Sequence, residues 1–385
     1  MHITVSERIS AWIETRRWWL SDVALPFSIT RLGLLLVGWL STLIPATEMM
    51  PARGWQFSPY RMLDMWGRWD TGWYFSIIER GYSTSVNQFG QGNTAFFPLY
   101  PYLVDLVHDC FVPGSLQTRG TILLTGVLVS NLAFLGALTL LYFLVRERRE
   151  ESNVAQKAIL YLCVFPTAFI FSAFYTESLF LLLSIAAFYL AEKELWWLAG
   201  LAGGLAALTR ATGVLCVIPL GILYWQQKRR LEWSSVSLGL IPLALLGLAL
   251  TLYRVTGDPL ELLNSHAGWG HEATLPWRAL FSFSSFHPVQ VLDKAMLVLF
   301  TALSLVTLKK RPAYGVWSIL NTILLLAVKG NPNNMTRYVS VAFPALVALA
   351  TYGEKHRTLH QAIVLAFAMI LGLLMALWAQ YYKVV

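Results

Sequence analysis

A run of about twenty apolar residues can cross a bilayer as a helix, and shorter runs cross inside bundles. This chain is built from such runs. Seven of them are Phe27–Pro45, Gly120–Val145, Ala155–Phe174, Ser178–Ala191, Trp196–Thr209, Val214–Trp225 and Val236–Tyr253. An eighth ends at Lys309, a ninth stops before Lys329, a tenth covers Tyr338–Tyr352 and the last covers Ala362–Gln380. Basic clusters divide them: Arg146 with Arg148 and Arg149, Lys228–Arg230, Lys309–Arg311, and Lys355 with His356 and Arg357. About eleven crossings put every cluster on one side, the cytoplasmic side by the positive-inside rule. Parity asks for an even number of spans between Arg146 and Lys228. Four short ones fit, and two would be too long.

Composition agrees. Of 385 residues, 13% are charged and 56% hydrophobic. Soluble domains carry about a quarter charged residues. The basic residues behind the net charge of +8 cluster in short groups between apolar runs, which does not suggest nucleic acid as a partner. The isolated Cys110, Cys163 and Cys216 give neither a disulfide framework nor metal spacing. The first twenty-five residues lack the apolar core of a secretory signal. Val5, Ile9, Trp12 and Ile13 have the spacing of an interfacial helix.

The expectation is an all-α integral membrane protein, one domain over residues 1–385, with the N-terminus inside and the C-terminus outside. Two long outer loops are predicted, 46–119 and 254–290, the first with amphipathic helices. In it, Asp64, Arg68, Asp70, Glu79 and Arg80 stand among tryptophans and tyrosines. Aromatic rings beside charges suit a membrane–water boundary. Tyr175–Glu177, Thr209–Arg210, His266–Glu272 and Asn331–Tyr338 fall on the same outer side. Ionisable residues converging at span ends are a site hypothesis. An outer site disfavours nucleotides as direct substrates and favours a lipid-phosphate-linked reactant.

The motifs R-W-D-T-G-W-Y at Arg68–Tyr74, E-R-G-Y at Glu79–Tyr82 and A-F-F-P-L-Y-P at Ala95–Pro101 come first. S-A-F-Y-T-E-S-L-F at Ser172–Phe180 and L-T-R-A-T-G at Leu208–Gly213 follow. Together they resemble the PIG-V family, whose eukaryotic members add the second mannose to glycosylphosphatidylinositol anchors. The resemblance covers the first loop through the sixth run, and more loosely N-M-T-R-Y at Asn334–Tyr338. It implies a GT-C glycosyltransferase fold, a site in the first outer loop, a polyprenyl-phosphate sugar donor, most often mannose, and inversion at the anomeric carbon. The acceptor would be a hydroxyl of a lipid-linked or surface glycan. The implied setting is a bacterial plasma membrane, or the endoplasmic reticulum in a eukaryote. Eukaryotic members tend to carry His where this chain has Trp73, so no role of that His carries over.

Each candidate has a second reading. Asp70 is placed to take a proton from an acceptor hydroxyl, and equally to cap the helix that follows. Glu79 could position substrate or pair with Arg80 at a helix end. Arg210 and Arg337 suit bidentate phosphate contact, or snorkel to headgroups. Glu177 could hold sugar or pair with Arg210. Trp69, Tyr74, Tyr175 and Tyr338 are aromatic candidates for substrate contact at the same boundaries. His266 belongs with the acceptor side. With His271 and Glu272 it lacks the helical i, i+4 spacing of a zinc pair, so no metal or other cofactor is expected. A transporter or flippase of lipid-linked sugars would share the span count. It is disfavoured because no matching halves with interrupted spans are visible. A non-catalytic partner of a glycosyltransferase is the remaining alternative.

The topology has a direct test. Cysteines placed in the turns at Arg146, Lys228 and Lys309 should resist an impermeant thiol reagent in intact cells, whereas cysteines near Asn87 and Gly270 should react. Labelling of the Lys228 turn from outside would overturn the one-sided arrangement.

Overall fold

Proline has no N–H and restricts the residue before it, so a helix cannot run through Pro166 undisturbed. In the computed structural model the third apolar run is accordingly helical only over Ser152–Cys163, not to Phe174 as expected. From Val164 to Thr176 the chain is irregular apart from a 3₁₀ turn at Ala168–Phe171. The structure describes residues 18–44, 55–146, 152–265, 272–273, 288–326, 328–329 and 334–384.

Apart from the four-residue turns Arg61–Asp64 and Glu261–Asn264, the α-helices are α1 (Leu25–Leu43), α2 (Thr71–Arg80), α3 (Leu99–Phe111), α4 (Arg119–Arg146), α5 (Ser152–Cys163), α6 (Glu177–Glu192) and α7 (Trp196–Ala207). They continue as α8 (Val217–Lys228), α9 (Leu240–Thr256), α10 (Pro288–Lys310), α11 (Pro312–Leu326), α12 (Met335–Val339), α13 (Phe343–Lys355) and α14 (Arg357–Ala379). Two-residue strands, Glu272–Ala273 and Val328–Lys329, pair antiparallel with Glu272 opposite Lys329. Each apolar run contains a helix. Among the described residues five helical segments are long and apolar enough to cross a membrane: Leu20–Leu43, Arg119–Arg146, Trp233–Thr256, Pro288–Lys310 and Arg357–Ala379. The protein is an integral membrane protein. The expected amphipathic helices of the first loop are α2 and α3. The tenth run also differs from expectation: it is split into α12 and α13 by a break at Ser340–Ala342, just before Pro344.

Irregular backbone inside a membrane protein must find hydrogen bonds within the protein, at several kcal/mol for each group left without one. Arg31, on α1, supplies them. Its guanidinium donates to the carbonyls of Ala168 (2.8 Å) and Cys163 (3.1 Å) and to Ser172 Oγ (3.1 Å). Phe134 of α4 stacks on Phe171 with ring centres 4.6 Å apart. A side chain at Gly126 would strike the ring of Phe174. The unwound stretch is therefore buried and held on both sides.

The first loop folds back onto this core. Phe57, Phe75, Tyr100 and Phe174 form one aromatic cluster beneath α2 and α3. In α7, Gly200, Gly203 and Gly204 allow the close helix approach that small residues permit in membranes. A Cβ at Gly200 would lie 2.1 Å from the carbonyl oxygen of Ser237. Gly200→Ala should therefore cost about 1–3 kcal/mol of stability by overpacking. Gly221→Ala, which faces open space, should be neutral or slightly stabilising. Thermal unfolding of both variants in one detergent checks this.

Candidate functional site

The site begins with a bend. Trp69 adopts φ +48°, a left-handed conformation uncommon for a bulky residue. Such strain persists only where the surroundings over-determine it, and here they do. The Tyr175 hydroxyl donates to Arg68 O (3.0 Å) and accepts from Asp70 N (3.1 Å). Arg68 N donates to Thr71 Oγ1 (3.1 Å). The Arg68 guanidinium is paired with Asp64 at 2.9 Å and lies 3.7 Å from the Tyr381 ring centre. Tyr175 can reach this turn because the chain before α6 is unwound.

Asp70 occupies the N-cap position of α2, yet its side chain makes no capping hydrogen bond. The capping reading therefore does not hold. Its Oδ2 instead accepts from Arg337 Nη1 at 2.9 Å. Arg337 Nε reaches Glu177 Oε1 at 2.5 Å, and Arg210 Nη1 pairs with the same oxygen. Arg210 also donates to Thr176 Oγ1 (3.2 Å). Two carboxylates and two guanidiniums thus form one chain: Asp70, Arg337, Glu177, Arg210. Rings enclose it. The Arg337 guanidinium lies 4.5 Å from the Tyr175 ring centre, and Tyr338 is 5.2 Å from Arg210 and 5.5 Å from Arg337.

Glu177 opens α6, where the helix dipole favours an anion. Its side chain is 0% exposed and that of Arg337 only 4%. Asp70 and Arg210 are more open, at 26% and 15%. Glu177 and Arg337 are thus the buried members of the cluster, and Asp70 and Arg210 its more open ones. Glu177 Oε2 is buried without a hydrogen-bond partner. Tyr74, on α2, lies at the edge of the cluster, its ring 6.2 Å from that of Tyr175. Burial, then the neighbouring Asp70 carboxylate, pushes its phenol well above the usual range, so it is a neutral hydroxyl at any physiological pH.

Two expected residues fall elsewhere. Glu79 lies at the far end of α2, roughly 13 Å along the helix from Asp70 at 1.5 Å per residue. It pairs with Arg119 Nε at 2.8 Å. The helix-end reading fits it, with Arg119 in place of Arg80. His266, like His271, lies outside the described residues.

One acid missed in the sequence matters. Asp293 of α10 is 1% exposed. Its Oδ1 accepts from Thr336 N (2.7 Å) and Thr336 Oγ1 (2.6 Å), and its Oδ2 from Asn334 N (2.8 Å). It thereby holds the left-handed Asn334 (φ +76°) and the first turn of α12, which carries Arg337. The signal was an acid near the start of an apolar run, where an unpartnered carboxylate would be costly.

Residues 58–238 match the family described as Mannosyltransferase (PIG-V), so the family resemblance of the motifs holds over that segment. It contains Asp70, Tyr74, Tyr175, Glu177 and Arg210, and stops short of Arg337. A stretch of 106 residues is 34% identical to GPI mannosyltransferase 2 of Yarrowia lipolytica, covering 28% of this chain and 30% of that protein. The fold is similar to that of the oligosaccharyltransferase AglB of Archaeoglobus fulgidus, solved with an inhibitory peptide and a dolichol-phosphate. The TM-score is 0.50 at 15% identity, over 97% of this chain and 56% of AglB. A second structure of the Archaeoglobus fulgidus enzyme, with Zn and sulfate, gives 0.50 at 14% identity over 93% and 53%. The chain thus spans under a third of the curated relative and little more than half of the solved enzyme. At this level of identity what is shared is the fold.

The Asp293 clasp is testable. Hydrogen bonds to a buried charge contribute about 1.5–3 kcal/mol each, less when lost together. Asp293→Ala should lower stability by about 3 kcal/mol, and Asp293→Asn, which keeps one acceptor oxygen, by about half as much. Thermal unfolding decides it. Unchanged melting of the Ala variant would mean that the turn is held by other contacts.

Proposed function

We propose that this chain is a membrane glycosyltransferase. It moves a hexose, mannose by family likeness, from a polyprenyl-phosphate carrier to a hydroxyl of a lipid-linked or surface glycan on the extracytoplasmic face, with inversion. The observation that carries the reading is the position of Arg337 between Asp70 and Glu177. A base and a phosphate ligand are then in direct contact. The likeness of residues 58–238 to a mannosyltransferase family supports the sugar. The dolichol-phosphate bound by AglB, whose fold is similar, supports the carrier.

The chemistry follows from charge. The acceptor oxygen attacks the anomeric carbon while the bond from that carbon to the phosphate oxygen breaks, and its electron pair leaves with the phosphate. The acceptor proton passes to Asp70. The leaving phosphate gains one negative charge as it becomes a monoester. At the same moment Asp70 loses its own charge, which weakens its hold on Arg337. The guanidinium is then available to the phosphate, together with the more exposed Arg210. Proton transfer and leaving-group stabilisation are coupled through one side chain. Glu177 keeps the two guanidiniums together and deprotonated Asp70 orients the resting one. Trp69 and Tyr338 are the partly exposed rings against which sugar and prenyl chain pack, whereas Tyr74 and Tyr175 are buried and hold the site in place.

Asp70→Asn tests the role of the base. The amide cannot take a proton at neutral pH, so transfer from polyprenyl-phosphate mannose should fall by about a hundredfold or more. The amide keeps an acceptor oxygen for Arg337 Nη1, so Asp70→Asn should melt closer to wild type than Asp70→Ala, which leaves Arg337 held by Glu177 alone. Purified protein and a radiolabelled donor give the turnover. An active Asn variant would remove Asp70 from the chemistry. A wild-type protein without turnover that moves lipid-linked sugar between leaflets would make it a transporter.

A further inference from the structure

One face of α13 does not pack tightly against its neighbours. Phe343, Val347, Ala348, Thr351 and Lys355 recur at helical spacing along that face, and all line a cavity of about 180 Å³. The opposite wall is the last turns of α4, through Leu141, Leu144 and Val145, and of α10, through Val306, Thr307 and Lys310. At its inner end Leu141 is 0% exposed and Phe343 1%. Most of its lining is apolar, so hydrocarbon fills it more favourably than water does.

The shape specifies which hydrocarbon. From Phe343 to Lys355 the helix rises roughly 18 Å. Half the hydrocarbon thickness of a bilayer is about 15 Å. The lining therefore runs along α13 for about the thickness of one leaflet. It opens where the basic turns lie and its tip reaches the break at Ser340–Ala342, beyond which stands Arg337. The rim is cationic. Lys310, Arg311 and Lys355 line it, and among the described residues no acidic side chain does. Of the described acids beside it, Glu354 pairs with Lys157, and Glu192 accepts from the hydroxyl of Tyr314, a lining residue, at 2.9 Å. Lys310 and Lys355 are exposed.

We propose that this slot holds one anionic glycerophospholipid of the leaflet on the basic side. An acyl chain lies along α13, and the phosphate is held by Lys310 and Lys355. Lysines beside a headgroup attract anionic lipid, and the slot adds a place for the tail. The site is separate from the Asp70–Arg337 cluster and does not depend on the reaction assigned to it. Its occupant bridges α4, α10 and α13 where side chains leave a gap.

Native mass spectrometry of the full chain, purified with mixed phosphatidylglycerol and phosphatidylcholine, tests it. Wild type should retain one phosphatidylglycerol selectively. K310Q/K355Q, altered only at exposed helix ends, should bind it about tenfold more weakly. Lys309→Gln, which does not line the slot, should bind as wild type does. Ala348→Trp, which fills the slot, should release the lipid while both lysines remain. Equal retention of the two lipids by wild type, or undiminished selectivity in K310Q/K355Q, would overturn the proposal. So would displacement by glycerol phosphate alone, which has a headgroup and no tail. Displacement by undecaprenyl phosphate in preference to phosphatidylglycerol would instead make the slot a carrier-lipid site.

Discussion

Arg337 touches both carboxylates of the site, and the segments it joins are distant in the chain. Asp70 follows the bend before α2, Glu177 heads α6, and Arg337 sits on α12. Removing a charge from water costs several kcal/mol even after relaxation, and only complete pairing offsets it. The cluster is therefore cooperative. If one member is missing, the others are left as buried, unbalanced charges. This explains why so much of the surrounding structure is devoted to holding each member still: Tyr175 on the Asp70 turn, Asp293 on the Arg337 turn, Thr176 on Arg210.

The same demand accounts for the places where the chain departs from regular helix. Helices satisfy their own backbone but present side chains only sideways. A residue that must face the end of a bundle needs the backbone to turn. Pro166 and Pro344 mark the two breaks, and the residues nearest them in function are Tyr175 and Glu177 after the first, and Arg337 before the second. Each break lies inside protein, where freed carbonyls and amides can be met by Arg31 or by neighbouring backbone. Irregular chain facing lipid would have no such recourse.

Much of this was legible in the residues. Apolar runs and basic turns gave the helices and their order, because hydrophobic length is a physical requirement of the bilayer. Asp70, Glu177, Arg210 and Arg337 stood out because charge beside apolar runs is costly and must have a reason. The pairing of Arg210 with Glu177 was one of the two readings open for that acid. What the sequence could not disclose were contacts set by three-dimensional closure. Nothing local says that Glu79 meets Arg119, that Asp293 clasps Asn334 and Thr336, or that Asp70 leaves its helix end uncapped. Pro166 was visible, but the run around it was apolar enough to read as continuous helix. The number of true crossings also depends on tertiary burial, since a short helix can be membrane-embedded only when others surround it.

Arg31 has a further consequence, for the order in which the protein is made. Its carbonyl partner at Ala168 lies 137 residues downstream. A lone arginine inside a span costs about 2.5–3.5 kcal/mol during insertion. When α1 leaves the ribosome, that arginine has nothing to bind, and most of the chain that will receive it has not been synthesised. The first helix is then a poor lodger in lipid until the stretch after α5 arrives. The burial of Arg31 is thus completed only by a segment 137 residues further along the chain, so α1 is settled in the bilayer as part of the bundle rather than alone.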